Sequence, residues 1–186
     1  MYKTTLIIMS GLSGTGKSAI AEALSKKLKF KIIKSDIVRK KMARLTKTQR
    51  SKEGFEKGIY SKEFSIKTYD KLFDLAGKNL RSKKNTILDA TFSTFESRLN
   101  AKTIAEKTNS SFFIIYCDCD EQEVKKRLTM REIENKDISD AGWEVYQKQK
   151  SNFNHLNKEE KKTTIFIDTK KDTDFNINFI LNHLKL

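Results

Sequence analysis

Proline is absent from this chain of 186 residues, cysteine occurs twice, and arginine occurs seven times against an abundance of lysine. The two cysteines, Cys117 and Cys119, stand two apart on an apolar run, where a strand would turn both to one face. Two thiolates cannot complete a zinc site. Free, buried thiols in a reducing compartment are the expectation, and with them a cytoplasmic location. No stretch approaches the ~20 consecutive apolar residues of a membrane-crossing helix, so no membrane partner is expected. The apolar run at residues 5–9 is too short for a secretory leader, and no signal peptide is expected. Linkers, internal repeats and low-complexity tracts are also missing. One domain over residues 1–186 is therefore expected, large enough to bury a core.

Acidic residues are the minority charge. Thirty-eight Lys and Arg against 24 Asp and Glu give a formal net charge of +14. Two readings compete. Such a balance attracts nucleic acid or another polyanion. It also accompanies a compositional bias in which Lys, Asn and Ile abound, Arg is scarce and Pro is missing.

Glycine is sparse as well, yet three of the seven glycines fall within residues 11–16. Gly11-Leu12-Ser13-Gly14-Thr15-Gly16-Lys17-Ser18 fits G-x-x-x-x-G-K-[ST], the loop that grips nucleotide phosphates. Its glycines let the backbone curl so that successive N–H groups face phosphate oxygens, with Ala19 continuing the cradle into a helix. Lys17 reaches the β- and γ-phosphates, and the Ser18 hydroxyl can hold Mg²⁺. The apolar run before it suits a buried strand. After it, Ile20, Ala21, Leu24 and Leu28 share one helical face. Strand, loop and helix N-terminus are the context that phosphate binding needs. No Asn-Lys-x-Asp follows, which argues against a GTPase. No Leu-Ser-Gly-Gly-Gln occurs, which argues against a transporter ATPase.

Strand-like runs at 5–9, 30–33, 86–88, 112–116 and 165–167 alternate with helical patterns at 18–28, 37–43, 62–80, 96–107, 121–131, 141–155 and 175–184. The alternation predicts an α/β fold, a parallel sheet covered on both faces. Residues 46–58 are polar and read as a loop near the acceptor site, and residues 132–140 are charged and irregular. In doubly wound sheets ligands gather beyond the carboxyl ends of the strands. That rule nominates Ser35 and Asp36, then Asp89, Ala90 and Thr91, then Asp118 and Asp120, then Asp168, Thr169 and Lys170.

Phosphoryl transfer needs charge neutralisation and alignment more than covalent chemistry. Asp36 is placed to take the proton of an acceptor hydroxyl; capping the helix that starts at Ile37 is its other reading. Arg39 lies one turn further on, suited to an anionic part of the acceptor. Asp89 and Asp118 both end apolar strands, and either fits the carboxylate that orients Mg²⁺ with Ser18. Arg127 and Arg131 are four apart on one helix and share a face. They read either as cations for the transition state or as a solvated surface pair. Phe55, Tyr60 and Phe92 are available for base stacking, and each also fits a core.

The ordered set resembles the polynucleotide-kinase and zeta-toxin-like branch of the P-loop kinases. The matching stretches are residues 11–18, Ser35-Asp36-Ile37-Val38-Arg39, and Ile87-Leu88-Asp89-Ala90-Thr91-Phe92 with Arg98. Arg127, Arg131 and Ile138-Ser139-Asp140-Ala141 complete it, and the helix opening at Ile59-Tyr60-Ser61 resembles small-molecule kinases of the same group. The likeness covers about residues 5–155. It implies a three-layer α/β/α P-loop fold with strand order 2-3-1-4-5 and a helical lid over about 127–145. It implies ATP and Mg²⁺ as cofactors and Asp36 as general base. Lys17, Arg127 and Arg131 become the catalytic cations. Arg39, Thr91 and Arg98 become acceptor contacts, and Asp89 is preferred to Asp118 for the metal. The phosphatase or ligase domain that accompanies many polynucleotide kinases is missing, as are the sugar-nucleotide elaborations of a zeta toxin. The acceptor therefore stays open between a single-stranded nucleic acid 5′ end and a small hydroxyl compound. The alternative class is a nucleotide-binding regulatory module that hydrolyses slowly or not at all.

Overall fold

Five short apolar runs build one parallel sheet. They are β1 (Thr5–Ser10), β2 (Lys31–Lys34), β3 (Thr86–Asp89), β4 (Ser111–Asp118) and β5 (Thr164–Asp168), in the order β2-β3-β1-β4-β5. The computed structural model describes residues 3–46, 58–134 and 141–184. All strand pairs are parallel, with Ile7 beside Ile87 on one side and Phe113 on the other. The expected order is the observed one.

Every residue of β1 is buried, as a central parallel strand covered on both faces must be. Its side chains alternate between two cores. Ile7 and Met9 pack with Ile20, Ala21 and Leu24 of α1 (Lys17–Leu28) and with Ile177 and Ile180 of α8 (Thr173–Leu184). Leu6 and Ile8 pack with Leu72, Ala76 and Leu80 of α3 (Lys62–Arg81) and with Ala101 and Ala105 of α4 (Phe95–Lys107). Each Leu, Ile or Met side chain among these contributes about 1.5–3 kcal/mol on burial.

A third, smaller core joins α5 (Glu121–Glu134) to α6 (Trp143–Ser151). Val124, Leu128 and Tyr146 meet there with Cys119, and Leu12 of the phosphate loop packs against them. Cys117 belongs to the first core and Cys119 lies just beyond β4, so the two free thiols do not share one surface. The lid expected over 127–145 comprises the end of α5 and the start of α6; residues 135–140 lie outside the described residues. Most of the loop expected at 46–58 lies outside them too, Phe55 included.

Several elements differ from expectation, α6 among them, which ends at Ser151 and not at 155. A short helix, α7 (Lys158–Lys162), forms where none was anticipated, held by a capping box between Asn157 and Glu160. The second helix, α2 (Ser35–Met42), begins two residues early. Asp36 therefore sits inside its first turn and is not its N-cap. No helix among the described residues is long and apolar enough to cross a membrane.

Candidate functional site

The phosphate loop crosses from the end of β1 into α1. Gly11 adopts φ +135°, and a Cβ there would stand 2.4 Å from the Cys117 carbonyl oxygen. Gly14 adopts φ +80°, with Val124 and Leu128 each 2.9 Å from where its Cβ would be. Side chains are excluded at both positions. Helix α1 starts without a side-chain cap and without an acidic residue in its first turn. Its leading N–H groups and positive dipole end are thus left for an anion.

Hydrogen bonds hold the loop from behind. The Thr15 hydroxyl donates to the Leu12 carbonyl at 2.8 Å, and the Thr169 hydroxyl donates to the Thr15 carbonyl at 2.8 Å. Gly11 N–H donates to the Thr91 carbonyl at 3.1 Å. On the open side, Lys17 Nζ donates to the Leu12 carbonyl at 2.6 Å and Ser13 N–H donates to Gln149 Oε1 at 2.9 Å. Ser13, Gly14, Gly16, Lys17, Ser18 and Ala19 face a cavity of about 870 Å³, while Gly11 and Thr15 shape the turn behind them.

Asp36 and Asp89 line the same cavity from the ends of neighbouring strands. Asp89 is 5% exposed and faces the Ser18 hydroxyl, which favours its charged form. Burial pushes the Asp89 carboxyl above the ordinary aspartate range, against the pull of Ser18 and Lys17. Burial likewise holds the Lys17 ammonium below its ordinary value, although Asp89, Cys117 and Asp36 favour its charge. Burial takes hydration from both charged forms, and a phosphate beside Lys17 with a hard cation beside Asp89 would offset that loss by opposite charge. A hydroxyl and a carboxylate, with phosphate oxygens and water, form the oxygen-only donor set that suits Mg²⁺. Asp118 stays outside the cavity, exposed, accepting from the Cys119 N–H at 2.9 Å.

The four arginines expected at the site separate. Arg131 lines the cavity. Arg127 turns away from it: Nε donates to Glu123 at 2.9 Å, Nη1 to the Thr169 hydroxyl at 3.1 Å and Nη2 to the Thr169 carbonyl at 2.9 Å. Shared helical spacing does not give these two a shared target. Arg127 braces the Thr169 hydroxyl that in turn holds the phosphate loop.

Arg98 is 1% exposed, and its role as an acceptor contact is corrected. Nε and Nη2 pair with the two Glu160 carboxylate oxygens at 2.6 and 3.2 Å, and Nη1 donates to the Phe92 carbonyl at 3.1 Å. All three of its nitrogens are engaged inside the protein, and Arg98 does not line the cavity. Arg39 reaches the cavity, but Nη1 donates to the Ile59 carbonyl at 2.5 Å and to the Ser65 hydroxyl at 3.1 Å. Its guanidinium lies over the Tyr60 ring, 5.0 Å from the centroid, and its Nε is buried without a hydrogen-bond partner.

Thr91 lines the cavity. Phe92 belongs to the core, fully buried, with the left-handed φ of 45° that a bulky residue rarely adopts. The Tyr69 hydroxyl accepts its N–H at 3.0 Å, and burial pushes the Tyr69 phenol up to about 12. Tyr60 reaches the cavity wall together with Tyr69 and Phe73. Sequence reasoning missed Gln149, Lys34 and Tyr69 as cavity residues. Gln149 lies on a helix 136 residues from the amide it contacts, and no local pattern signals that meeting.

Residues 6–156 match the family model described as an AAA domain. An uncharacterized protein of Mycobacterium tuberculosis (strain ATCC 25618 / H37Rv) is 25% identical over 134 residues, or 72% of this chain. A protein of Mycobacterium bovis (strain ATCC BAA-935 / AF2122/97), described in the same words, matches equally. The match spans only 27% of the length of these relatives. A sugar kinase from Janibacter sp. HTCC2649 shares the fold with a TM-score of 0.71 at 17% identity, over 98% of this chain and 95% of that one. The Mycobacterium tuberculosis APS kinase CysC, in complex with AMPPNP and APS, does so at 0.69 and 17%, over the whole of both chains. Chaetomium thermophilum Kti12, in complex with ADP-AlF3, does so at 0.68 and 15%, over 95% of this chain and 97% of that one. At these identities the likeness carries the fold.

Proposed function

The chain belongs to the AAA domain family, and on that premise we propose that it is a kinase, moving the γ-phosphoryl group of ATP to an acceptor hydroxyl. One observation carries the reading. A phosphate loop with an uncapped helix N-terminus and a second carboxylate, Asp36, open into one cavity. A nucleotide switch needs the loop but has no use for an acceptor base. The kinase neighbours support the same reading through their shared fold.

The loop amides and Lys17 take the phosphates, and in doing so Lys17 gives up the Leu12 carbonyl. Ser18 and Asp89 would hold Mg²⁺, which neutralises charge on the phosphates when bound. Asp36 accepts the acceptor's proton as its oxygen bonds to the γ-phosphorus. The bond from that phosphorus to the β–γ bridging oxygen breaks, and ADP leaves. Arg131 meets the charge that gathers on the migrating group. Arg127 acts at one remove, by bracing Thr169 behind the loop. The free cysteines suit a reducing compartment such as the cytoplasm.

A regulatory ATPase is the second reading, favoured by the likeness to Kti12. Incubation with γ-labelled ATP, Mg²⁺ and a panel of hydroxyl acceptors separates the two. The kinase reading expects label in an acceptor, faster than label in inorganic phosphate. Label in inorganic phosphate alone, whatever the acceptor, would establish the regulatory reading.

A further inference from the structure

Among the described residues, the acceptor half of the cavity is not a cationic groove, despite a chain charge of +14. Among the described residues, cationic and acidic side chains line the cavity in equal number, five of each. The cations are also largely committed. Lys17 and Arg131 stand at the phosphate end. Lys34 is ion-paired with Glu22. Arg39 offers a phosphate neither of its two-toothed edges. Both Nη1 protons serve the Ile59 carbonyl and the Ser65 hydroxyl, and Nε is enclosed. Its charge holds the turn Gly58–Tyr60 against α2 and α3, with the Tyr60 ring beneath it.

What faces the acceptor from α3 and α4 is of the opposite kind. Asp70 and Glu96 line the cavity and are exposed, and neither carboxylate pairs with a cation among the described residues. Lys62 is the single cation of the acceptor half that these residues leave uncommitted. Between the charges, Tyr60, Tyr69 and Phe73 form an aromatic wall, with Tyr69 and Phe73 rings 5.9 Å apart. Aromatic rings receive any flat or C–H-rich face, a sugar as readily as a base. Charge therefore decides. A nucleic acid strand needs a cation for each phosphate it lays down, and a phosphorylated or carboxylated metabolite is held best by a free basic fork; here Lys62 is outnumbered by Asp70 and Glu96, so the acceptor half carries net negative charge among the described residues.

Resting on the kinase reading above, we propose that the acceptor is a small hydroxyl compound without phosphate or carboxylate groups, neutral or amine-bearing, whose apolar face lies on Tyr60, Tyr69 and Phe73. Asp70 and Glu96 set that preference by repelling anions and attracting ammonium groups. Among the described residues, the positive charge of the chain does not gather in the cavity.

The test sorts acceptors by charge. Neutral sugars and nucleosides, amino sugars and amino alcohols, sugar phosphates and hydroxy acids, and a 5′-hydroxyl oligonucleotide are each offered with MgATP, and kcat/KM is compared. Transfer to the neutral or amine-bearing members is expected, at least about tenfold above any anionic member, the low end of what a few local charges do to recognition. The Asp70→Lys, Glu96→Lys double variant is expected to shrink or reverse that ratio. Both positions are exposed, so the variant keeps its fold. Preference of the wild type for an anionic acceptor overturns this inference and leaves the kinase reading standing. An unchanged ratio in the variant also overturns the assignment to Asp70 and Glu96. No transfer to any acceptor, with ATP still hydrolysed, overturns the kinase reading and this inference together.

Discussion

Lys17 and Asp89 carry opposite charges that the site disfavours for one reason, burial. For Lys17, a pKa held down in the fold means that its charge costs folding free energy at neutral pH. Lys17→Ala is therefore expected to leave the melting temperature of the free protein unchanged or higher. ATP affinity should fall by roughly tenfold to a hundredfold, the loss of one charge-assisted contact of about 1.5–3 kcal/mol. Differential scanning calorimetry and isothermal titration read the two effects separately. For Asp89 the shift is upward, so the folded protein holds its proton to higher pH than the unfolded chain does. Stability of the nucleotide-free protein should then fall as pH rises from the ordinary aspartate value through the raised one. Mg²⁺ needs the ionised carboxylate, so Mg²⁺-dependent ATP affinity should rise through the same window. Asp89→Asn should flatten both profiles; titrations from acid to neutral pH, with and without Mg²⁺, check it. At this scale the carboxylates were legible, because a residue just past an apolar strand has only one end of the sheet to occupy. The arginines were not. Whether a guanidinium is free depends on carbonyls and carboxylates far along the chain, as Glu160 is from Arg98.

Helix α7 shows how an element without apolar periodicity earns its place. Glu160 caps it, with its Oε2 accepting the Asn157 N–H at 2.9 Å, and the same carboxylate pairs with buried Arg98. The helix start and the α4 wall of the cavity are thereby fastened together. Arg98→Ala would leave Glu160, only 12% exposed, without its partner. Breaking such a pair costs about 3–5 kcal/mol, and denaturant unfolding should show it. Arg98→Met, which keeps the bulk, should lose less from packing, and in either variant any loss of activity should follow the loss of folded protein. An effect on acceptor KM at full stability would return Arg98 to the acceptor site. The strands were legible from their apolar runs, since a sheet covered on both faces leaves no polar alternation. Helix α7 was not, because its five residues, all charged, follow no hydrophobic period. Its one signal was the Asn157–Glu160 capping box.

Across the whole molecule, the alternation of strands and helices was enough to predict a parallel sheet, while the order β2-β3-β1-β4-β5 came through resemblance and not periodicity. That order sets β1 between β3 and β4 and brings the ends of β1, β2 and β3 to one cavity. Net charge was the least informative global property, because it does not say where the charge lies. Transfer by this chain turns on Asp36 taking a proton beside a bound γ-phosphate. The most direct measurement is single-turnover transfer from γ-labelled ATP to an acceptor that the wild type phosphorylates, repeated with Asp36→Asn at matched ATP occupancy. The amide keeps the shape of the carboxylate but cannot take the proton. Transfer is expected to fall by about 10²–10⁴-fold, the usual scale for losing a general base, while ATP binding persists. Transfer at the wild-type rate by Asp36→Asn would show that Asp36 is not the base.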